Sequence, residues 1–100
     1  MTTIQIKMPC CNSIRSCKMT AVYILDVLDG EIVNEIKALR CYKLGYTPEI
    51  TIEFNPHKHA VYYLYVSNRG NPYIKFYHIP PIITEQQARK IILETHGLIH

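Results

Sequence analysis

Residues able to do chemistry stand in three places along this chain. Four cysteines occur, at Cys10, Cys11, Cys17 and Cys41. Thiolates hold zinc or close disulfides, yet the doubled C-x(2–4)-C spacing of structural zinc sites is absent, since five residues separate Cys11 from Cys17. A composite site of Cys10, Cys11 and Cys17 with one histidine stays open, as does a disulfide from Cys17 to Cys10 or Cys11. Free thiols in a loop are the preferred reading. Second, His57-Lys58-His59 sets two imidazoles on one side of a strand or its entry loop, where they could bind a metal. Asn55-Pro56-His57-Lys58-His59 also reads as a polar turn linking two strands, and that reading is preferred. Third, tyrosine alone supplies eight residues, and several alternate with aliphatic residues between Tyr62 and His78.

No nucleophile is set up. Ser13, Ser16 and Ser67 have no histidine beside them, and the four glycines stand singly, so no glycine-rich loop cradles phosphate. Glu49 with Glu53, and Glu31 with Glu35, read as solvated pairs. Lys58 occupies the position where the His-hydrophobe-His motif of replication-initiator endonucleases buries an apolar residue, so that resemblance is not followed. The expectation is a protein that is not an enzyme and needs no cofactor.

The elements that must position these residues follow from periodicity. Ile4, Ile6 and Met8 alternate with polar residues as a half-buried strand, which Pro9 ends; residues 9–18 read as a cysteine-bearing loop. Ala21 to Leu28 is rich in β-branched and aromatic residues and reads as a more buried strand. Asp29-Gly30-Glu31 resembles a helix start, with Ile32, Ile36 and Leu39 on one stripe and Gly45 as the cap. Ile50, Ile52 and Phe54 alternate in a third strand, and Ala60–Ser67 and Tyr73–Ile79 flank Asn68-Arg69-Gly70-Asn71 as a hairpin. Thr84 and Gln87 form a capping box for a final helix with Ala88, Ile91, Ile92 and Thr95 on its stripe and Gly97 beyond its end. The sequence thus predicts a single α+β domain over 1–100, a mostly antiparallel five-stranded sheet with two helices in the order β-β-α-β-β-β-α. In element order, residues 29–97 resemble double-stranded-RNA-binding domains, and the last four elements resemble the arm-binding domains of tyrosine recombinases. Glu85-Gln86-Gln87 stands where the former family carries a lysine pair, so no binding residue is carried over.

Folding the last hairpin about Arg69-Gly70 sets Tyr63 opposite Phe76 and Val61 opposite His78. Alternation then puts Val61, Tyr63, Tyr65, Ile74, Phe76 and His78 on one face. Ala60, Tyr62, Leu64, Val66, Tyr73, Tyr77 and Ile79 fall on the other, with Ile50, Ile52 and Phe54 and the helices. Lys75 lands on that core side, where a bulge would reverse the register. Tyr63, Tyr65, Phe76 and His78, with Arg69 and Lys58, are the candidate surface for nucleic acid or a protein partner. The alternative is that the first helix or the N-terminal hairpin covers them.

Composition sets the remaining bounds. Eleven Lys+Arg against eight Asp+Glu leave +3, a mild bias without a contiguous basic cluster. The 48% apolar content excludes disorder as the main state. No apolar run approaches the ~20 residues of a membrane span, and the N-terminus has no signal-peptide pattern, so a cytoplasmic, intracellular location is expected. Fifteen isoleucines against five valines suggest an AT-rich, viral or mobile-element origin. The functional expectation is an accessory protein that binds nucleic acid weakly through an aromatic sheet face and scattered Lys/Arg. A homodimeric interaction module without nucleic-acid binding is the alternative.

Overall fold

A computed structural model describes residues 1–7, 17–37, 49–67 and 69–98, with residues 17–20 described through their backbone. Among the described residues, six strands and one helix follow the order β1 Thr2–Lys7, β2 Cys17–Asp26, β3 Glu31–Lys37, β4 Glu49–Phe54, β5 His59–Ser67, β6 Pro72–His78 and α1 Glu85–Thr95. β1 pairs with β4 in a two-stranded sheet, and β3-β2-β5-β6 make a four-stranded one. Every pairing is antiparallel. The α+β class therefore holds, with six strands in two sheets and one helix among the described residues in place of five strands and two helices.

Two cores explain the layering. Along β2 and β5, Ala21, Tyr23, Leu25, Ala60, Tyr62, Leu64 and Val66 face one way and meet Ile92 of α1. Val22, Ile24, Val61 and Tyr63 face the other way and meet Ile6, Ile52 and Phe54 of the small sheet. The central strands are buried on both faces, which is why they read as continuous apolar runs. Each fully buried Leu, Ile, Val or Phe among them contributes about 1.5–3 kcal/mol.

The expected first helix is the main correction. Glu31–Lys37 is a strand, and its register runs from Ala21 opposite Lys37 to Asp26 opposite Glu31, with a bulge near Ile24 and Leu25. Asp29-Gly30 is a hairpin signal, not a helix start: Gly30 sits at φ 70° and donates to the Asp26 carbonyl at 2.8 Å. β-branched Ile32, Val33 and Ile36 then suit a strand as well as a stripe, and pairing with β2 decides. Positions 38–45 of that expected helix lie outside the described residues. The element order shared with double-stranded-RNA-binding domains goes with it, because a strand stands where that resemblance placed the first helix.

β4 supplies the second correction. Phe54 lies opposite Thr2 of β1 and not opposite Ala60. Residues 55–58 instead carry the chain from the small sheet across to β5. Ile50, Ile52 and Phe54 consequently pack on the face away from α1. The final helix forms as its signals indicate: Thr84 accepts from the Gln87 amide, the Gln87 side chain accepts from the Thr84 amide, and Ala88 and Ile92 are buried.

Candidate nucleic-acid interface

The β5–β6 hairpin builds the aromatic face. Its tip closes through the Ser67 amide donating to Asn71 O at 3.0 Å and the Gly70 amide donating to Ser67 O at 2.9 Å, with Gly70 at φ 82°. From there Val66 lies opposite Pro72, Tyr65 opposite Tyr73, Leu64 opposite Ile74, Tyr63 opposite Lys75 and Tyr62 opposite Phe76. The register then shifts, so that Val61 meets His78 and Tyr77 is the extra residue. Val61 faces His78 as expected, but Tyr63 does not face Phe76.

The pairing from the hairpin tip to Tyr62, one residue off the expected register, re-sorts β6. Ile74 and Phe76 go to the α1 face, where the Phe76 ring lies 6.5 Å from Tyr62 and 5.3 Å from the Arg89 guanidinium. Tyr73, Lys75 and Tyr77 come to the face of Tyr63 and Tyr65. Lys75 Nζ lies 5.6 Å from the centre of the Tyr77 ring, a cation–π contact. Tyr73 is 57% exposed, Lys75 is exposed, and Tyr65 and Tyr77 are half-buried. Burial pushes the Tyr77 hydroxyl up from its ordinary ionisation range, with Tyr63 and Tyr73 adding to it. Tyr77 therefore stays a neutral stacking surface at physiological pH.

The sequence-expected residues divide accordingly. Tyr63 is buried beneath the small sheet, so the N-terminal strand, paired with β4, covers that end of the face. Tyr65 remains at its margin. Phe76 is on the wrong side of the sheet for the candidate surface. His78 is held at the far end: its Nε2 donates to Pro56 O at 2.8 Å, and its ring sits 4.9 Å from Phe54. Arg69 is exposed at the hairpin tip. Lys58 is engaged elsewhere, 3.5 Å from the buried Asp26 carboxylate. Tyr73, Lys75 and Tyr77 were missed, and Lys75 was the signal: a lysine assigned to a core marks a wrong register.

His57-Lys58-His59 is a turn. The His59 amide donates to Asn55 O at 2.9 Å, the Asn55 amide donates to His59 Nδ1 at 2.9 Å, and the His57 amide donates to Asn55 Oδ1 at 3.0 Å. Burial pushes the His59 imidazole below its ordinary range; Asp26 opposes and Lys58 assists. Burial pushes the Asp26 carboxyl up, but the Asp29 and Leu28 amides and the Lys58 ammonium outweigh it and hold it low. Among the described residues no three His, Cys, Asp or Glu side chains come together as a metal site. Cys10, Cys11 and Cys41 lie outside those residues, and Cys17 opens β2.

Among the described residues, no helix is long and apolar enough to cross a membrane. Comparison with protein-family models, with curated proteins and with solved structures finds no match for this chain.

Proposed function

We propose that this protein is a small, non-enzymatic binder of single-stranded nucleic acid, working through the outer half of the β5–β6 face. The observation that carries this reading is the register of β6, with Tyr73 opposite Tyr65 and Lys75 opposite Tyr63, which sets Tyr73, Lys75 and Tyr77 on one side of an edge strand beside Tyr65. Alternate residues of a strand stand about 6.8 Å apart, so the rings offer successive stacking surfaces with a cation between them. Aromatic rings give sequence-tolerant stacking, and Lys75 and Arg69 supply phosphate contacts. Binding is weak because the remaining cations are spread over other faces. Arg89 pairs with Glu85 at 3.1 Å, Lys58 with Asp26 at 3.5 Å, and Lys7 lies opposite Glu49 in the small sheet.

Homodimerisation through an edge strand is the weaker reading. Two copies of β6 centred on Lys75 would set like charges opposite each other. Along β3 the bulge puts Ile32 opposite Leu25 and Ile36 opposite Val22, on different faces, so no self-pairing matches both. The test is fluorescence anisotropy of a labelled thymidine oligonucleotide at low and high salt, with native mass recorded on the same sample. Saturable, salt-sensitive binding by a monomer supports the proposal. A stable dimer that ignores the oligonucleotide replaces it with the alternative.

A further inference from the structure

The last turn of α1 is built to deliver one side chain onto the sheet. The Leu98 amide donates to Leu93 O at 2.8 Å and the Gly97 amide donates to Glu94 O at 3.1 Å, while Gly97 adopts φ 69°. This is a Schellman ending, and Leu93 and Leu98 both pack against the core beneath it. His96 is thereby fixed as the C-cap, with its ring edge-on to Tyr23 at 4.5 Å and to Tyr62 at 5.8 Å. Its Nε2 lies 2.6 Å from the Tyr62 hydroxyl oxygen. Tyr62 is wholly buried on β5 and stacks with Tyr23 of β2 at 5.5 Å. His96 itself is half-buried, so protons reach it from solvent.

The hydrogen bond has a direction that protonation must reverse. A neutral imidazole accepts the Tyr62 proton at Nε2. An imidazolium can only donate there, so the hydroxyl must rotate to accept, and its own proton loses its acceptor inside the core. A buried donor left unmade is costly. The groups facing the ring are Tyr23 from β2, Glu35 from β3 and Tyr62 from β5. Burial pushes both tyrosines up, so they stay neutral. Glu35 favours the charged ring, but burial outweighs it and pushes the His96 imidazole below its ordinary range.

We propose that His96 is a proton-operated latch, holding the last turn of α1 on the sheet when neutral and releasing it when charged. Release uncovers Tyr23 and Tyr62, so mild acid opens an apolar aromatic surface on the face opposite the nucleic-acid site. The switch belongs to the helix end and leaves the strands paired.

The experiment follows the His96 ring by NMR and, on the same intact protein, amide exchange of Ile91 to His96 against that of β5. Conditions run from about pH 7.5 to 5.5, with protection corrected for the intrinsic rate, across the range where histidine charges. The latch predicts a ring that titrates below the free-histidine range and a several-fold loss of protection in the helix end while β5 stays protected. His96→Gln, which can still accept from Tyr62 but cannot titrate, should abolish the pH dependence. An ordinary ring titration overturns the latch, as does loss of protection in α1 and β5 together or an acid response surviving in His96→Gln. Should that variant not fold, the ring titration and the comparison of helix with strand in the unmodified protein still decide.

Discussion

Replacing Tyr73 by alanine tests the aromatic face where its geometry is least ambiguous. Tyr73 lies opposite Tyr65 on an edge strand and is 57% exposed, so its ring holds little of the fold together. Unfolding free energy should therefore change by no more than about 0.5 kcal/mol, as for ordinary surface substitutions. A base stacked on the ring contributes about 1–3 kcal/mol, so affinity for a thymidine oligonucleotide should fall about 5- to 150-fold. Lys75→Gln acts differently. With Lys75 and Arg69 as the two phosphate partners, the slope of log affinity against log salt should be about −1.4, and losing one should bring it to about −0.7. Tyr63→Ala completes the set, because Tyr63 is 8% exposed under the small sheet and its loss should cost about 3–5 kcal/mol of stability. Anisotropy titrations at two salt concentrations and urea unfolding followed by circular dichroism read all three variants. The reasoning is refuted if Tyr73→Ala and Lys75→Gln bind like the parent, or if the parent binds equally well at both salt concentrations.

Asp26→Ala removes the acceptor for the Leu28 and Asp29 amides and the partner of Lys58, and should cost about 1–3 kcal/mol in urea unfolding. Ile92→Ala opens a hole between α1 and the sheet and should cost about 2–5 kcal/mol, with helix signal lost earliest on heating. Gly30→Ala meets no atom within 4 Å but must hold φ 70°, so about 1–2 kcal/mol of backbone strain should appear without any packing defect. His59 and His96 both ionise below the ordinary imidazole value when folded, so the unfolded chain binds more protons in mild acid. Stability should be full above about pH 6.5 and decline as pH falls through the two folded values, a trend that chemical denaturation across pH will show or contradict.

What could be read from the sequence was what neighbouring residues settle among themselves. The cap of α1 is such a case: Thr84 and Gln87 satisfy each other's amides over one turn, and Gly97 takes the left-handed conformation just past the end. The turn at Asn55–His59 is another, closed by its own side chains. Glu31–Lys37 failed because Ile32 and Ile36 fit a helical stripe as well as a strand, and the deciding partner, β2, is supplied by a hairpin whose Asp-Gly signal also resembles a helix start. The separation of β4 from β5 failed for a related reason, since nothing in Ile50–Phe54 reveals that β1 is its partner.

The aromatic face shows how one unread residue changes a surface. Strict alternation through β6 gives Phe76 and Ile74 to the outer side and buries Lys75, which no charged ammonium tolerates without a partner. Closing the hairpin with Ser67 bonded to Asn71 shifts the register by one and resolves the conflict: Phe76 meets Tyr62, and Lys75 comes to solvent over an aromatic ring, while the extra residue at Tyr77 restores Val61 opposite His78. Tyr77 and His78 then both meet the Val61 position, and His78 is tied off by Pro56 while Tyr77 completes the row with Tyr73. The register set at the hairpin tip lets β6 pack against the helix-side core and turns the alternate residues Tyr73, Lys75 and Tyr77 together to the other face. Lys75→Val removes the charge that ties β6 to this register, so it should loosen the pairing and let Tyr73 and Tyr77 turn together to the other face. Binding should then weaken by more than the loss of one phosphate contact accounts for.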